Sequence, residues 1–233
     1  MMERIDKIIG TQTEYSRKDV KKLISQKRIQ VNGEIVLKPD IKIDIDKDII
    51  CIDGIEINIK KHIYLVLNKP AGYISATEDR NMSTVLDLIN EKYLHRDLFP
   101  AGRLDKDTTG LMIITDDGKF AHDILSPKKH VSKTYEVTID IPTNEDMVKG
   151  FKEGIFLKDG KCKTAIMEIT GEYTARVILT EGRYHQIKRM FGCYGAKVLK
   201  LHRTKMGNLC LPKNLKEGES RELTCEELRK IKE

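Results

Sequence analysis

Charged residues precede an apolar run in the stretch AGRLDKDTTGLMIITDDGK, residues 101–119. Arg103, Asp105 and Asp107 come shortly before residues typical of a strand, so the pattern predicts a charged loop at the start of that strand. An aspartate in a loop beside an arginine can act as a nucleophile or as a general base. A single carboxylate without neighbouring metal ligands fits attack at a sugar carbon better than hydrolysis by a metal-bound water.

Two interpretations of this stretch other than catalysis are a calcium-binding loop and a purely structural loop. Asp105, Asp107, Thr109, Gly110 and Asp116 have the spacing of a calcium loop, but strand-like residues fill its second half and the usual final glutamate is missing. Calcium binding is therefore disfavoured. Loop carboxylates also commonly cap backbone amides. From these residues alone, the structural and the catalytic interpretations both stay open.

The elements expected to position this loop belong to an α+β fold. From residue 63 onward, strand patterns predominate and helices are interspersed without long βα repeats. Residues 63–233 are therefore predicted to form one domain with a mixed, largely antiparallel sheet. Residues 1–58 are predicted to form a small α/β module, and residues 59–62 a linker.

The N-terminal module is predicted to contain two helices followed by a small sheet. The first helix covers residues 3–9. Ser16 has the position of an N-cap for the second helix, with Asp19 three residues later. Asn32-Gly33 between β-branched residues indicates a hairpin.

Basic residues are concentrated in two separate stretches. Residues 176–205 contain eight Lys or Arg and one acidic residue, and residues 1–38 contain nine basic and five acidic residues. On a helical wheel of about 100° per residue, Arg17, Lys21 and Arg28 fall together as a basic ridge. Two such stretches favour a polyanionic partner, although a solvated helix face would explain the ridge by itself.

Cysteine usage and hydropathy predict a cytoplasmic protein. The five cysteines are odd in number, far apart and without a CxxC pair, which disfavours both a zinc site and a disulfide framework. The stretch MMERIDKIIG lacks the apolar core of a signal peptide. No run of 18 apolar residues occurs, so no membrane association is expected.

Several motifs occur together in a recognisable order. They are NKPAG at 68–72, GRLDKDTTGL at 102–111, TDDG at 115–118, KTYEV at 133–137 and EGRYHQIKRMF at 181–191. This set resembles the pseudouridine synthases, and within them the RsuA family, which modifies small-subunit ribosomal RNA. The stretches ERIDKII, SRKDVKKLI and QVNGE resemble the RNA-binding domain named after the fourth small-subunit ribosomal protein.

The resemblance implies roles for four residues of a catalytic site. Asp105 matches the family's essential aspartate, which either adds to C1′ of the target uridine or removes a proton from the sugar. Tyr135 matches the tyrosine that stacks on the extruded base and helps to remove the C5 proton. Lys188 matches the basic residue that pairs with the aspartate, and Arg103 matches an arginine that holds or replaces the base. No cofactor and no metal is implied, because the reaction is an isomerisation.

A single helix beginning around Arg183 is expected to carry residues for both chemistry and RNA binding. Its buried face is predicted from residues at helical spacing: Tyr184, Ile187, Phe191 and Tyr194. Beside that face, Lys188 is expected to reach the cleft. RNA contacts are expected from Arg183, His185 and Arg189, in addition to the ridge of Arg17, Lys21 and Arg28.

The implied partner is 16S ribosomal RNA or an assembling small ribosomal subunit, bound by a monomer. The family's usual target is uridine 516 in standard bacterial numbering. Large-subunit relatives share the motif around Asp105, but they typically read Asn-Arg-Glu-Val-Arg near HQIKR and often have basic C-terminal tails, whereas this sequence ends after its last predicted helix. A non-catalytic ribosome-assembly protein is the rival outside the enzyme class, and the presence of Asp105, Tyr135 and Lys188 argues against it.

One position departs from the family pattern. Lys27 stands where the N-terminal module usually has a glycine after its second helix. If that residue is left-handed, a side chain there costs about 1 kcal/mol. The departure predicts either a different helix end or weaker docking of RNA.

Overall fold

The computed structural model describes residues 2–93, 95–126 and 129–232. Contacts group the chain into two compact units, Met1–Ile63 with Ile89–Leu98 and Tyr64–Leu88 with Phe99–Glu233. The first unit thus includes a later segment that no sequence pattern indicated, and the predicted domain boundaries stay a prediction. None of the helices in the described ranges is long and apolar enough to cross a membrane.

The first unit contains two helices and two small sheets. Its elements are β1 (Met2–Arg4), α1 (Ile5–Gln12), α2 (Arg17–Ser25), β2 (Ile29–Val31), β3 (Glu34–Ile35), β4 (Lys42–Asp44), β5 (Ile50–Ile52) and β6 (Ile55–Glu56), with a 3₁₀ turn at Glu91–Tyr93. One sheet pairs β1 with β4, and the other has the strand order β3-β2-β5-β6. Isoleucines from both helices and from the strands, among them Ile5, Ile24 and Ile29, are buried in one core.

The helix predicted for residues 3–9 begins and ends later, at Ile5–Gln12, but two other local sequence signals of this unit form as predicted. Ser16 accepts a hydrogen bond from the amide of Asp19, whose carboxylate accepts from the amide of Ser16, so the capping box is confirmed. Asn32 and Gly33 both have positive φ, at 52° and 83°, and join β2 to β3. This is the geometry of a type I′ hairpin turn, and the predicted hairpin is confirmed.

The C-terminal end of α2 is closed by a left-handed residue. Lys27 has φ 59°, its amide donates to the carbonyl of Ile24, and the amide of Arg28 donates to the carbonyl of Leu23. These two bonds form the Schellman arrangement that normally uses glycine. Because the chain leaves the helix at Lys27, placing Arg28 on a helical wheel was wrong. Its guanidinium instead makes two hydrogen bonds to the Asp53 carboxylate, of 2.7 and 2.6 Å.

Replacing Lys27 with glycine is expected to stabilise the first unit by about 1 kcal/mol, because glycine adopts a left-handed φ without steric cost. Chemical denaturation of the two proteins measures the difference. Gln26→Gly, one residue earlier at φ −85°, is the matched control and is expected to destabilise. A Lys27→Gly protein no more stable than the parent would contradict the strain at this position.

The second unit is built on a nine-stranded sheet. Its strands are β7 (Tyr64–Lys69), β8 (Phe99–Pro100), β9 (Thr109–Thr115), β10 (Lys133–Ile139), β13 (Ile166–Gly171), β14 (Thr174–Leu179), β15 (Val198–Met206), β16 (Leu209–Cys210) and β17 (Ser220–Glu222). The main path runs β13-β14-β10-β15-β9-β7-β17, with β16 on β15 and β8 on β9. Only the β15–β9 pair on this path is parallel, so the predicted mixed, largely antiparallel sheet is confirmed.

Four helices and a small hairpin accompany the sheet. They are α3 (Gly118–Leu125), α4 (Glu145–Glu153), α5 (Gln186–Gly192), α6 (Cys225–Lys232) and the strands β11 (Phe156–Leu157) and β12 (Gly160–Lys161), with a 3₁₀ turn at Val85–Leu88. Helices α3 and α6 cover one side of the sheet, where Phe120 and Ile231 pack with residues of β7 and β9. Phe151 of α4 meets Phe191 of α5 at a ring distance of 4.9 Å.

Candidate active site

The loop that carries Asp105 joins β8 to β9 and is tied to the segment that follows β7. The amide of Gly72 donates to the carbonyl of Lys106 at 2.8 Å. Ser75 contacts the other side of the loop, where its hydroxyl donates to the carbonyl of Leu104 at 2.7 Å and accepts from the amide of the same residue at 2.9 Å. The loop backbone is therefore held by hydrogen bonds on both sides of Asp105, and these bonds do not involve the Asp105 carboxylate.

Lys69 supports the same loop from inside the protein. Its side chain is fully buried, and its ammonium donates to the carbonyls of Pro70, Lys106 and Thr108 at 2.8–3.2 Å. Burial lowers the pKa of Lys69 to about 8, although the charges of Asp107 and Asp105 act to raise it. Lys69 belongs to the motif NKPAG, for which no role of the lysine was predicted. Its three carbonyl contacts make it a positioning residue for the loop.

Asp105 faces two side chains of the segment around α5. Lys188 Nζ lies 3.2 Å from Asp105 Oδ2, and His185 Nε2 lies 3.5 Å from Asp105 Oδ1. Lys188 also donates to Asp107 Oδ1 at 2.6 Å. Burial acts to lower the pKa of Lys188, but its hydrogen bonds to Asp107 and Asp105 raise it overall. The bond from Lys188 is also the main reason why the pKa of Asp107 is lowered.

A buried glutamate positions the residues before α5. Glu181 is 8% exposed and accepts hydrogen bonds from the amide of Lys163 at 3.0 Å and from Gln186 Nε2 at 2.6 Å. Gln186 in turn accepts from the amide of Arg183 at 3.0 Å. These contacts fix the turn that presents His185, which has φ 49°, an uncommon conformation for a non-glycine residue.

The predicted buried face of this helix was partly wrong. The helix begins at Gln186, so Tyr184 lies before it, is 75% exposed and stacks on the ring of His185 at 3.8 Å. Ile187 and Phe191 are buried as predicted. Tyr194 follows the helix, is only partly buried and donates to the carbonyl of Asp146. The predicted periodicity reached two residues beyond each end of the helix, which covers Gln186–Gly192 and starts directly after the left-handed His185.

A cleft of about 790 Å³ opens beside Asp105. Tyr135 and Arg103 line it together with Asp105, and so do Arg183 and His185. Tyr135 is 8% exposed, whereas Arg103 is exposed. The structure thus brings Asp105, Tyr135 and Arg103 to one cleft and places Lys188 against the carboxylate. The roles of these four residues stay predictions.

Two further cations that the sequence analysis did not single out line the same cleft. They are Lys133, the first residue of β10, and Arg203 of β15, which pairs directly with Tyr135 across the two strands. In the sequence both lie in ordinary strand patterns. For Lys133 there was one signal of a place in the cleft: it lies two residues before Tyr135, and residues two apart in a strand share a sheet face. No such signal existed for Arg203.

Arg183 and Arg189, predicted to contact RNA, hold the β11–β12 hairpin. Arg183 donates to the carbonyls of Gly160 and Lys161 at 3.1 and 2.5 Å. Arg189 donates to both carboxylate oxygens of Asp159, at 2.7 and 3.2 Å, which raises the pKa of Arg189. Both arginines therefore have protein partners here, and their contact with RNA stays a prediction.

The predicted basic ridge of the first unit is reduced to two residues of α2. Arg17 and Lys21 are exposed on the helix. Arg28 is half-exposed beyond its end, paired with Asp53, and this contact raises the pKa of Arg28. RNA binding by all three residues stays a prediction.

Within the described part of the chain, no three His, Cys, Asp or Glu side chains are grouped so as to hold a metal ion. The arrangement around Asp105 instead offers one carboxylate, its cationic partner Lys188 and an aromatic ring at Tyr135 beside an open cleft. Such a set can attack a carbon or transfer a proton, and it can stack on a flat ring.

Comparisons with known proteins agree with this geometry. Residues 63–192 match the family described as RNA pseudouridylate synthase, and residues 3–50 match the S4 domain. A ribosomal small subunit pseudouridine synthase A of Haemophilus influenzae is 40% identical, over 98% of this chain and 99% of that protein. An uncharacterised RNA pseudouridine synthase of Bacillus subtilis is 38% identical, over 99% and 98% of the two chains. A crystal structure of a pseudouridylate synthase, 39% identical, covers 98% of this chain and 99% of its own with a TM-score of 0.70.

Proposed function

The chain belongs to the RsuA family of RNA pseudouridine synthases, and from this premise we propose that it isomerises one uridine of 16S ribosomal RNA to pseudouridine. Its N-terminal S4 domain makes RNA the partner. The relative of Haemophilus influenzae named above, and others of about 40% identity over nearly the whole chain, are named as small-subunit enzymes. Uridine 516 in standard bacterial numbering is the proposed target, and the cytoplasm, where ribosomes assemble, is the proposed location.

The observation that carries the proposed mechanism is the ion pair of Asp105 and Lys188 beside the cleft that Tyr135 lines. A uracil within a helix is stacked, so the base must first leave the stack at a cost of a few kcal/mol. The cleft then receives it. Tyr135 stacks on the ring, and Arg103 at the exposed rim holds the extruded nucleotide.

Asp105 performs the chemical step in this proposal. Its carboxylate adds to C1′ or removes a proton from the sugar, and the bond between C1′ and N1 of the base breaks. The uracil rotates within the cleft and rejoins C1′ through C5, while Asp105 leaves C1′ or returns the proton to the sugar. The C5 proton is then lost with the help of Tyr135, and N1 gains a proton. Lys188 balances the charge of the carboxylate and fixes its direction.

Pseudouridine mapping of both ribosomal RNAs tests the substrate. The comparison is between cells with the protein and cells from which it has been deleted. Loss of one mark in the small-subunit RNA is the expected result, and its position decides whether the target is uridine 516. Loss of a mark in the large-subunit RNA would contradict the proposed substrate but support the proposed reaction. Unchanged maps would favour a non-catalytic role in ribosome assembly.

The predicted RNA contacts of the first unit are expected to depend on salt. Alanine at Arg17, Lys21 and Arg28 together is expected to weaken RNA binding at least about tenfold at moderate salt, because each substitution removes a cation that can contact a phosphate. Each lost phosphate contact is also expected to reduce the slope of the logarithm of the association constant against the logarithm of the salt concentration by about 0.7–0.9. Filter binding of ribosomal RNA over a salt series measures both quantities.

Alanine at Lys42 and Lys47 gives a matched control for this prediction. Both lysines are exposed and lie in the same unit, but within residues 39–58, which contain two basic and six acidic residues. The double alanine variant is expected to leave the RNA affinity and the salt slope nearly unchanged. Unchanged affinity in the triple variant, or an equal loss in the control, would show that the ridge does not bind RNA.

A further inference from the structure

Two buried cations in the wall of the cleft have no role in the mechanism described above. Lys133 is 7% exposed and Arg203 is 2% exposed, and both line the cleft with Asp105. Strand β10 presents Lys133 on the same face as Tyr135, and β15 places Arg203 directly opposite Tyr135. The two cations therefore lie beside the ring that is proposed to stack on the base.

The hydrogen-bonding capacity of these cations is not used up by the protein. Arg203 donates from Nε to the carbonyl of Leu111 at 2.6 Å, but its Nη2 is buried and has no partner among the residues described. Lys133 donates to the carbonyl of Val131 at 3.3 Å, and no carboxylate within the described ranges pairs with it. Burial, together with the charge of Arg203, lowers the pKa of Lys133 to about 8.

Burying two cations in this way costs free energy in the absence of a ligand. Each ion taken out of water costs several kcal/mol unless an opposite charge or hydrogen bonds replace the water. Here two like charges share one wall, and a donor atom is left unpaired. The wall is therefore matched to a group that accepts hydrogen bonds and carries, or acquires, negative charge.

We propose that Lys133 and Arg203 receive the carbonyl oxygens of the extruded uracil and stabilise the negative charge that the base gains when its glycosidic bond breaks. The inference rests on the proposed function and adds two catalytic residues to it. Donors placed in advance around a developing charge, in a site that excludes water, are among the largest contributions to enzymatic rates.

The charge arises in the first half of the reaction. When the bond between C1′ and N1 breaks, its electron pair stays on the uracil, which becomes an anion delocalised over N1, O2 and O4. Asp105 meets the electron deficiency at C1′, either by forming a bond to it or by taking a proton from the sugar. After rotation, C5 of the anion supplies the electron pair of the new bond to C1′, while the bond between Asp105 and C1′ breaks or, on the alternative route, Asp105 returns its proton to the sugar. Loss of the C5 proton and gain of a proton at N1 then give neutral pseudouridine and restore the Asp105 carboxylate.

Single-turnover kinetics with saturating protein test this assignment. The substrate is ribosomal RNA from cells that lack the protein, and the readouts are the rate of pseudouridine formation and the RNA dissociation constant. Lys133→Met and Arg203→Met are each expected to slow the rate about 10²- to 10³-fold, with the dissociation constant changed less than about threefold. Lys205→Met removes the same charge from β15 outside the cleft, because a register shift pairs Lys205 with Thr134 and places it on the opposite face from Arg203. This variant is expected to keep the parent rate.

A pH profile separates charge stabilisation from a structural role. The ionisable groups that line the cleft with Lys133 are Arg103, Asp105, Tyr135, Arg183, Tyr184, His185 and Arg203. Because burial and the charge of Arg203 lower the pKa of Lys133 to about 8, the rate of the parent protein is expected to fall above that pH, and Lys133→Arg is expected to extend activity to higher pH. A profile unchanged in Lys133→Arg would contradict the assignment.

The outcomes distinguish this inference from the proposed function. If the parent protein forms no pseudouridine in either ribosomal RNA, the proposed function fails. If the parent is active and Lys133→Met matches its rate, or loses activity only through weaker RNA binding, the inference alone fails. Should Arg203→Met not fold, Lys133→Met and Lys133→Arg suffice for this decision.

Discussion

Asp105→Asn is expected to reduce pseudouridine formation by about 10⁴-fold or more, because the amide can neither attack C1′ nor accept the sugar proton. The substitution keeps the shape of the side chain. It also leaves the backbone contacts of the loop in place, since Lys69 and Ser75 bind the loop and not the carboxylate. RNA affinity and the thermal unfolding temperature are therefore expected to stay close to those of the parent. Ribosomal RNA mapping in cells that express only the variant, together with single-turnover assays, measures the effect.

Asp107→Asn provides the matched control. Asp107 lies in the same loop, carries the same charge and is bound by the same Lys188, but its side chain is 72% exposed. Removing it leaves Lys188 free to interact with Asp105 alone, so the activity is expected to change less than about tenfold. If the two variants lose activity equally, the loop needs its charge in general and Asp105 is not the reacting group.

Local interactions explain why much of the fold could be predicted from the sequence. The capping box at Ser16 and the turn at Asn32-Gly33 each depend on residues only a few positions apart. Alternation of apolar residues similarly indicated the strands of the sheet. Arg28 and Tyr184 were misplaced because left-handed residues, Lys27 and His185, change the chain direction where the periodicity suggested a continuous helix.

The candidate site was less accessible to sequence reasoning because its supporting contacts join distant parts of the chain. Lys69 reaches the carbonyl of Thr108, and Arg203 reaches that of Leu111. Neither side chain differs in type from the many surface cations of a chain with 42 Lys and Arg. Their burial, which gives them their significance, follows only from the pairing of β7, β9, β10 and β15. Motif resemblance indicated the four predicted catalytic residues, but it assigned no role to Lys69, Lys133 or Arg203.

Gly110→Ala is expected to destabilise the second unit by more than about 4 kcal/mol. Gly110 has φ 102°, and a Cβ atom there would lie 2.3 Å from the carbonyl oxygen and 2.8 Å from the amide nitrogen of Arg203. Both obstacles are backbone atoms of the parallel partner strand, so no rotation of a side chain can relieve the overlap. The variant is expected to unfold at least about 10 °C below the parent in a thermal melt, or to accumulate in the insoluble fraction.

Gly118→Ala is the matched control, because a Cβ atom at Gly118 meets no atom within 4 Å and the residue lies in α3. Alanine is the stronger helix former there, so equal or higher stability is expected. Equal melting temperatures for Gly110→Ala and the parent would contradict the close approach of β9 and β15. That approach connects the fold to the chemistry, since Gly110 lies in β9 directly after the loop of Asp105 and pairs with Arg203, which lines the cleft. Because Gly110 has no side chain, β9 can approach β15 closely, and this contact keeps the loop of Asp105 and the buried Arg203 at the same cleft.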